Sequence, residues 1–258
     1  MESRKEEMNY QGKMTISSHK ELTKDVFEMV VEGDAAKYIK EPGQFVNIKI
    51  TDDMTPYLRR PMSICDYDEH SIKMIYKVVG EGTKLMSKKQ VGDQMDFLTG
   101  LGHGFIDYEA KEAIVIGGGL GVPPMYNLVK KLKEEGVKVS AVFGFGKESD
   151  MFYIKEFEAL CPVYVATMDG SYGVKGTVID AIKENNLSFD KYYACGPVPM
   201  LNALVKAYPD NGYLSFEARM GCGFGACMGC SMKVKGASYK RVCVEGPVFK
   251  SEEVIVNG

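Results

Sequence analysis

Residues 112–124 read EAIVIGGGLGVPP. An apolar run of strand length (112–116) ends in a glycine loop, and residues 125–135 follow at helical spacing. The same rhythm then recurs three times. The apolar run 137–143 precedes a helical 151–160, 163–167 precedes 176–184, and 191–195 precedes 199–207. Four strand–helix units in series call for right-handed crossovers and a parallel sheet, a Rossmann-like α/β domain.

Outward from this block the pattern changes on both sides. Toward the N-terminus, residues 25–32 (DVFEMVVE), 44–50 (QFVNIKI), 71–79 (SIKMIYKVV) and 93–98 (DQMDFL) alternate or run apolar at strand length. Turn signals such as Glu41-Pro42-Gly43 and Val91-Gly92-Asp93 separate them, and only 82–89 reads as helix. Short strands with regular turns predict an antiparallel β-barrel. Toward the C-terminus, four of the seven cysteines fall within 22 residues. The expected fold class is multidomain, β and α/β. It comprises an antiparallel β-barrel over 1–108, a parallel-sheet domain over 109–212 and a small cysteine module over 213–258.

Composition narrows the function. The 258 residues carry a net charge of −3 and a pI near 5.8, which excludes the basic face of a nucleic-acid binder. The 45% hydrophobic and 26% charged content is that of a globular chain. The longest charge-free run, residues 113–129, holds four Gly and two Pro and falls short of a membrane span. The opening MESRKEEMNY is charged and lacks the apolar core of a secretory signal. A cytoplasmic location is therefore expected, where thiols stay reduced and an odd cysteine count points to metal or redox chemistry.

Cys222-x4-Cys227-x2-Cys230-x12-Cys243 is the most specific motif. This is the spacing of plant-type [2Fe-2S] ligation, in which four thiolates hold two irons. Gly221, Gly223, Gly225, Ala226 and Gly229 let the backbone curl and aim N–H groups at sulfur. Structural zinc is the alternative, although it usually takes two short Cys hooks rather than three ligands and a distant fourth.

Two strand-end turns in the α/β block could face a nucleotide. One is Gly117-Gly118-Gly119-Leu120-Gly121-Val122-Pro123-Pro124 and the other is Cys195-Gly196-Pro197. Glycine-rich turns also serve packing alone, and a lone cysteine is usually a buried thiol. In the barrel, Arg59-Arg60-Pro61-Met62-Ser63 could hold a phosphate, or the paired arginines could simply be solvated. Lys77-Val78-Val79-Gly80-Glu81-Gly82-Thr83 offers a second anion-binding turn. His19, His70 and His103 have no ligand spacing, Cys65 and Cys161 read as core thiols, and 130–135 reads as a solvated helix face.

Taken in order, R-P-x-S, G-x-G-T, G-G-G-x-G-x-P-P and C-G-P resemble the ferredoxin-NADP reductase superfamily. The terminal EARMGCGFGACMGCSMKV and KRVCVEGPVF, with Asp169-Gly170-Ser171-Tyr172-Gly173 and Lys175-Gly176-Thr177, resemble the electron-transfer subunits of class 1B dihydroorotate dehydrogenase over nearly the whole chain. The resemblance implies that Arg60, Pro61, Met62 and Ser63 bind FAD, with Arg60 on phosphate and Ser63 near the ring. Met62 stands where many superfamily members carry an aromatic. Ile75, Tyr76, Lys77, Gly82 and Thr83 match the second FAD segment. Gly118, Gly119, Gly121, Cys195, Gly196 and Pro197 match the nicotinamide side, and Cys222, Cys227, Cys230 and Cys243 match the cluster ligands.

It further implies an electron-transfer oxidoreductase of pyrimidine biosynthesis. NADH would reduce FAD, and the [2Fe-2S] cluster would carry single electrons to or from an FMN-containing dihydroorotate dehydrogenase subunit, in a heterotetramer of two of each. No catalytic acid or base is expected on this chain. Residues 144–148 hold Lys147 and no Arg, which favours NADH and leaves NADPH open. The small subunit of a flavin-based ferredoxin-NADP oxidoreductase or sulfide dehydrogenase would have the same parts, but with an acidic residue at the place of Cys222. A non-redox zinc-stabilised binding module is the reading from another class.

Overall fold

The computed structural model describes residues 9–53 and 55–256. The N-terminal sheet contains β1 (Tyr10–Thr23), β2 (Val26–Glu32), β3 (Phe45–Lys49), β4 (Arg60–Ser63), β5 (Asp66–Tyr67), β6 (Ser71–Lys77) and β7 (Gln94–Leu101), with the short helix α1 (Glu81–Met86) before β7. All neighbours are antiparallel, in the order β4-β3-β7-β1-β2-β6-β5. The outermost strands, β4 and β5, are consecutive in the chain. Buried Ile64 and Cys65 carry the backbone from one edge to the other, and Cys65 N–H donates to the Lys73 carbonyl at 2.8 Å. A corner thus joins the two edges of the sheet, which curls as a half-barrel. Met14, Ile16, Met29, Ile48, Ile72 and Phe97 fill it.

The second sheet contains β8 (Glu112–Gly118), β9 (Lys138–Phe145), β10 (Val163–Thr167), β11 (Val174–Lys175), β12 (Lys191–Cys195) and β13 (Gly212–Ser215). These run parallel in the order β11-β10-β9-β8-β12-β13. Helices α2 (Met125–Glu134) and α3 (Ile154–Glu158) pack on one face, while α4 (Val178–Glu184) and α5 (Val198–Ala207) pack on the other. The expected parallel α/β domain is present. The boundary expected near 212 coincides with the start of β13, which is one of its strands. After the hairpin β14 (Ser231–Val234) and β15 (Ala237–Arg241), β16 (Val248–Lys250) returns antiparallel to β13.

α2 buries Met125, Leu128, Val129 and Leu132 at the spacing of one helical face. Its other side is not wholly solvated as expected. Lys130 Nζ reaches both carboxylate oxygens of Asp66 (2.9 and 3.0 Å), and Asn127 Nδ2 donates to the same group at 2.7 Å. The helix that follows the glycine loop therefore grips the barrel corner.

The linker between barrel and sheet is also pinned. The Asp107 carboxylate accepts from Lys191 Nζ and the Tyr213 hydroxyl, and the Asp107 carbonyl accepts from Tyr193 at 2.6 Å. The Lys191 side chain is only 11% exposed, so removing its carboxylate strands a shielded charge. Asp107→Ala will lower unfolding stability by about 3 kcal/mol, the low end for breaking such a pair. Urea denaturation with an unchanged midpoint would contradict this.

Candidate redox site

The barrel's outer face and the start of the cysteine module enclose a cavity of about 290 Å³. Arg60, Pro61, Met62 and Ser63 line it from β4, Ile75, Tyr76 and Lys77 from β6, and Thr83 from α1. The two sequence-distant motifs therefore meet. Alternation on β6 sets their roles. Tyr76 packs in the barrel core with its hydroxyl 2.9 Å from His19 Nε2, and Ile75 and Lys77 take the opposite face. Gly82 does not line the cavity but makes room for Arg60. A Cβ there would stand 2.5 Å from Arg60 Nε, so glycine lets the guanidinium lie on the α1 turn. The Thr83 hydroxyl accepts from the N–H groups of Val79 (3.0 Å) and Gly80 (3.2 Å), which shapes that turn.

A second, larger cavity of about 530 Å³ opens at the carboxyl ends of the parallel strands. Strand order reverses between β8 and β12, and this switch point is where ligands bind in open α/β sheets. Gly117 and Cys195 are register partners there, so the two expected turns lie side by side. Gly118, Gly119 and Pro197 line the cavity. Gly121 lies behind it, where a Cβ would overlap the Cys195 carbonyl and stand 2.7 Å from Gly196 N. Cys195 is 1% exposed; burial first, and then the Glu217 carboxylate, push its thiol up to about 12. Cys195 and Gly121 thus shape the wall, and the thiol is not among the lining groups. Gly196 packs against Gly118 and the Met200 side chain.

The four module cysteines form two pairs. Cys222 N–H and Cys227 N–H each point at the other's sulfur, at 3.5 and 3.4 Å, and Cys243 N–H points at Cys230 Sγ at 3.4 Å. Among the described residues no three metal-ligating side chains converge on one point. Two pairs suit two irons with two thiolates each, and suit a single tetrahedral zinc less well. Glycines bring the backbone close to one thiol: a Cβ at Gly221 would stand 3.2 Å from Cys227 Sγ, and one at Gly229 would be in ordinary contact at 3.5 Å. Partial burial opposes ionisation of Cys222. Backbone N–H groups of Cys227, Phe224 and Ala226 outweigh it and bring the thiol down to about 6. Burial and the Cys230 thiol push Cys243 up to about 12. One pair therefore lies toward the surface and the other is buried.

Two neighbours escaped the sequence reading. Glu217 lines the smaller cavity beside Phe216, Ala218 and Met220, and desolvation raises its carboxyl. Asp150 lines the larger one near the end of β9. Nothing in their local sequence marks either.

An antiparallel half-barrel, a switch-point crevice opening beside it and a paired-thiol module together define a chain of the ferredoxin-reductase-like oxidoreductase class with an attached iron–sulfur segment. The iron-sulfur cluster binding domain of dihydroorotate dehydrogenase B matches residues 217–255, and an oxidoreductase NAD-binding domain matches 115–206. The dihydroorotate dehydrogenase B (NAD(+)) electron transfer subunit of a Geobacillus species is 45% identical over 257 residues, covering 96% of this chain and all of that one. The Fusobacterium nucleatum protein of the same name is 45% identical, covering 93% and 96%. The chain belongs to the family of dihydroorotate dehydrogenase B electron transfer subunits.

A solved NADH-dependent reduced ferredoxin-NADP oxidoreductase superposes with a TM-score of 0.86 at 28% identity, covering 94% of this chain and 90% of that one. A ferredoxin NADP+ reductase from Neisseria gonorrhoeae, solved with FAD and NADP, shares the fold at 17% identity and a TM-score of 0.67, covering 81% and 94%. Among the described residues no helix is long and apolar enough to cross a membrane.

Proposed function

We propose that this chain relays electrons between NAD(H) and a dihydroorotate dehydrogenase catalytic subunit through FAD and a [2Fe-2S] cluster. The observation that carries the reading is contiguity. Leu120 and Lys77 line both cavities, and the barrel cavity is walled on its far side by residues 216–218 and Met220, just before Cys222. When bound, FAD exchanges a hydride with a nicotinamide and single electrons with an iron–sulfur cluster, which is chemistry the cofactors carry themselves.

The residues of the chain supply position. Arg60 on the α1 turn offers a guanidinium to a diphosphate, and Ser63 offers a hydroxyl further along the same strand. The glycine turns let a dinucleotide approach the backbone. Asp150, in the loop that follows the second parallel strand in sequence, suits the ribose hydroxyls of NADH and repels a 2′-phosphate. The outer thiol pair, with half-exposed Phe224 and Met228 beside it, gives the cluster a face toward a partner. That partner is read as the FMN-containing catalytic subunit, two copies of each chain forming the assembly.

The test is an anaerobic visible spectrum before and after NADH, with iron and acid-labile sulfide assayed on the same sample. Flavin and iron–sulfur bands that both bleach with NADH, and far more slowly with NADPH, are the expected result. A colourless, zinc-containing protein would overturn the relay.

A further inference from the structure

The β3 strand presents Val46 and Ile48 to the barrel core. Asn47 lies between them on the opposite face, which is also the face of Phe45, a residue of the flavin cavity wall. Its ladder partner is Pro61 of the flavin motif. Asn47 is 0% exposed, and its Nδ2 donates to the Cys222 carbonyl at 3.1 Å across 175 residues of sequence. Asn47 Oδ1 is the one buried side-chain polar atom without a hydrogen-bond partner among the described residues. An amide flip would aim oxygen at oxygen, so the Cys222 carbonyl fixes the orientation and leaves Oδ1 stranded.

The surroundings hold this residue from two directions, through its backbone carbonyl and beside its side-chain amide. Arg59 Nη1 donates to the Asn47 carbonyl at 3.2 Å and to the Asp96 carbonyl at 2.9 Å, while Nη2 pairs with the Asp96 carboxylate. Arg59 is thereby a structural clamp and not the solvated neighbour of Arg60. On the other side, Gly223 has φ +81, and a Cβ there would overlap Asn47 Nδ2 and stand 3.2 Å from Asn47 Cγ. A buried polar group left half satisfied is destabilising. An apolar side chain of the same shape would serve packing better.

We infer that Asn47 is a positioning residue for the iron–sulfur centre: it locks the peptide of the first cysteine ligand, Cys222, onto the strand that borders the flavin cavity. This rests on the reading of Cys222 as a ligand. The chain Asp96–Arg59–Asn47–Cys222 makes the cysteine loop and the flavin motif one rigid piece. It also fixes the loop in which Cys222 and Cys227 receive their N–H donors, the bonds that tune an iron–sulfur centre.

The test compares wild type, Asn47→Leu, Gly223→Ala and Cys222→Ala as full-length holoproteins. Asn47→Leu removes the stranded oxygen and, with it, the donor to the Cys222 carbonyl; the two effects oppose, so its melting temperature is expected to stay near that of wild type. Its flavin content and the rate of flavin reduction by NADH are expected to be unchanged. Its reduced cluster is expected to show altered electron paramagnetic resonance g-values and iron loss to a chelator roughly 10- to 100-fold faster, the range for outer partners of metal ligands. Gly223→Ala, which displaces the amide without replacing it, is expected to shift the same signal. Wild-type g-values and iron retention in both variants, with Cys222→Ala losing its iron, would overturn the inference and spare the ligand assignment. Full iron content in Cys222→Ala would overturn the assignment itself.

Discussion

Cys227→Ala will strip the chain of its iron and sulfide while leaving its flavin in place. Cys227 is the exposed member of the four, so its removal opens no hole in the core. Its loss nonetheless takes one of the four thiols proposed as ligands. Cys227 Sγ receives the N–H groups of Cys222 and Gly229, and its own N–H points at Cys222 Sγ, so the outer half of the site loses its organising atom. Iron content is expected to fall to background. NADH should still bleach the flavin at the wild-type rate, since the nicotinamide crevice is built from other residues. Electron delivery to the catalytic subunit is expected to drop by at least roughly 100-fold, beyond the range for outer-shell changes. Stoichiometric iron in the purified variant would refute the ligand set.

Gly121→Ala attacks the other end of the relay. The atoms that a methyl would meet are the Cys195 carbonyl and Gly196 N, both backbone, so no flexible side chain can swing away. The glycine turn and the Cys195-Gly196-Pro197 turn must part, and they form two walls of one crevice. A displacement of about 1 Å at a reacting centre can reduce rate by roughly 100-fold. NADH-driven flavin reduction should fall by about that factor, with stability lower by about 1–3 kcal/mol from overpacking. Chemical reduction of the same flavin should be unaffected. Stopped-flow traces equal to wild type would show that the two turns need not touch.

The parallel sheet was legible because its strands are apolar runs punctuated by glycine and followed by amphipathic helices. β1 was not: of its 14 residues only Met14 and Ile16 are fully buried, and a register shift near Ser17 breaks the alternation. β13 and β16 are four and three residues long, too short to carry a period, and only the assembled sheet recruits them. The iron–sulfur segment was legible from the cysteine spacing, which reflects coordination chemistry. The division of its cysteines into Cys222/Cys227 and Cys230/Cys243 was not, because it depends on where the hairpin returns the fourth thiol. Asn47 reads in sequence as an ordinary polar position of an alternating strand. Its significance comes from a loop that arrives 175 residues later.

β16 carries a mechanical implication. Ser215 leaves the sheet and Val248 comes back as its direct partner, so the whole cysteine segment departs from and returns to adjacent points. His103 N–H donates to the Gly246 carbonyl at 2.6 Å, which ties the returning end to the barrel as well. A segment moored in this way cannot swing like a domain on a single tether. The iron–sulfur centre is therefore a fixed socket, and any large excursion during turnover belongs to the nucleotide or to the docking partner. The same mooring makes the socket share the fate of the nucleotide sheet, since peeling away β16 would strip the edge of β13, and the two should melt as one unit.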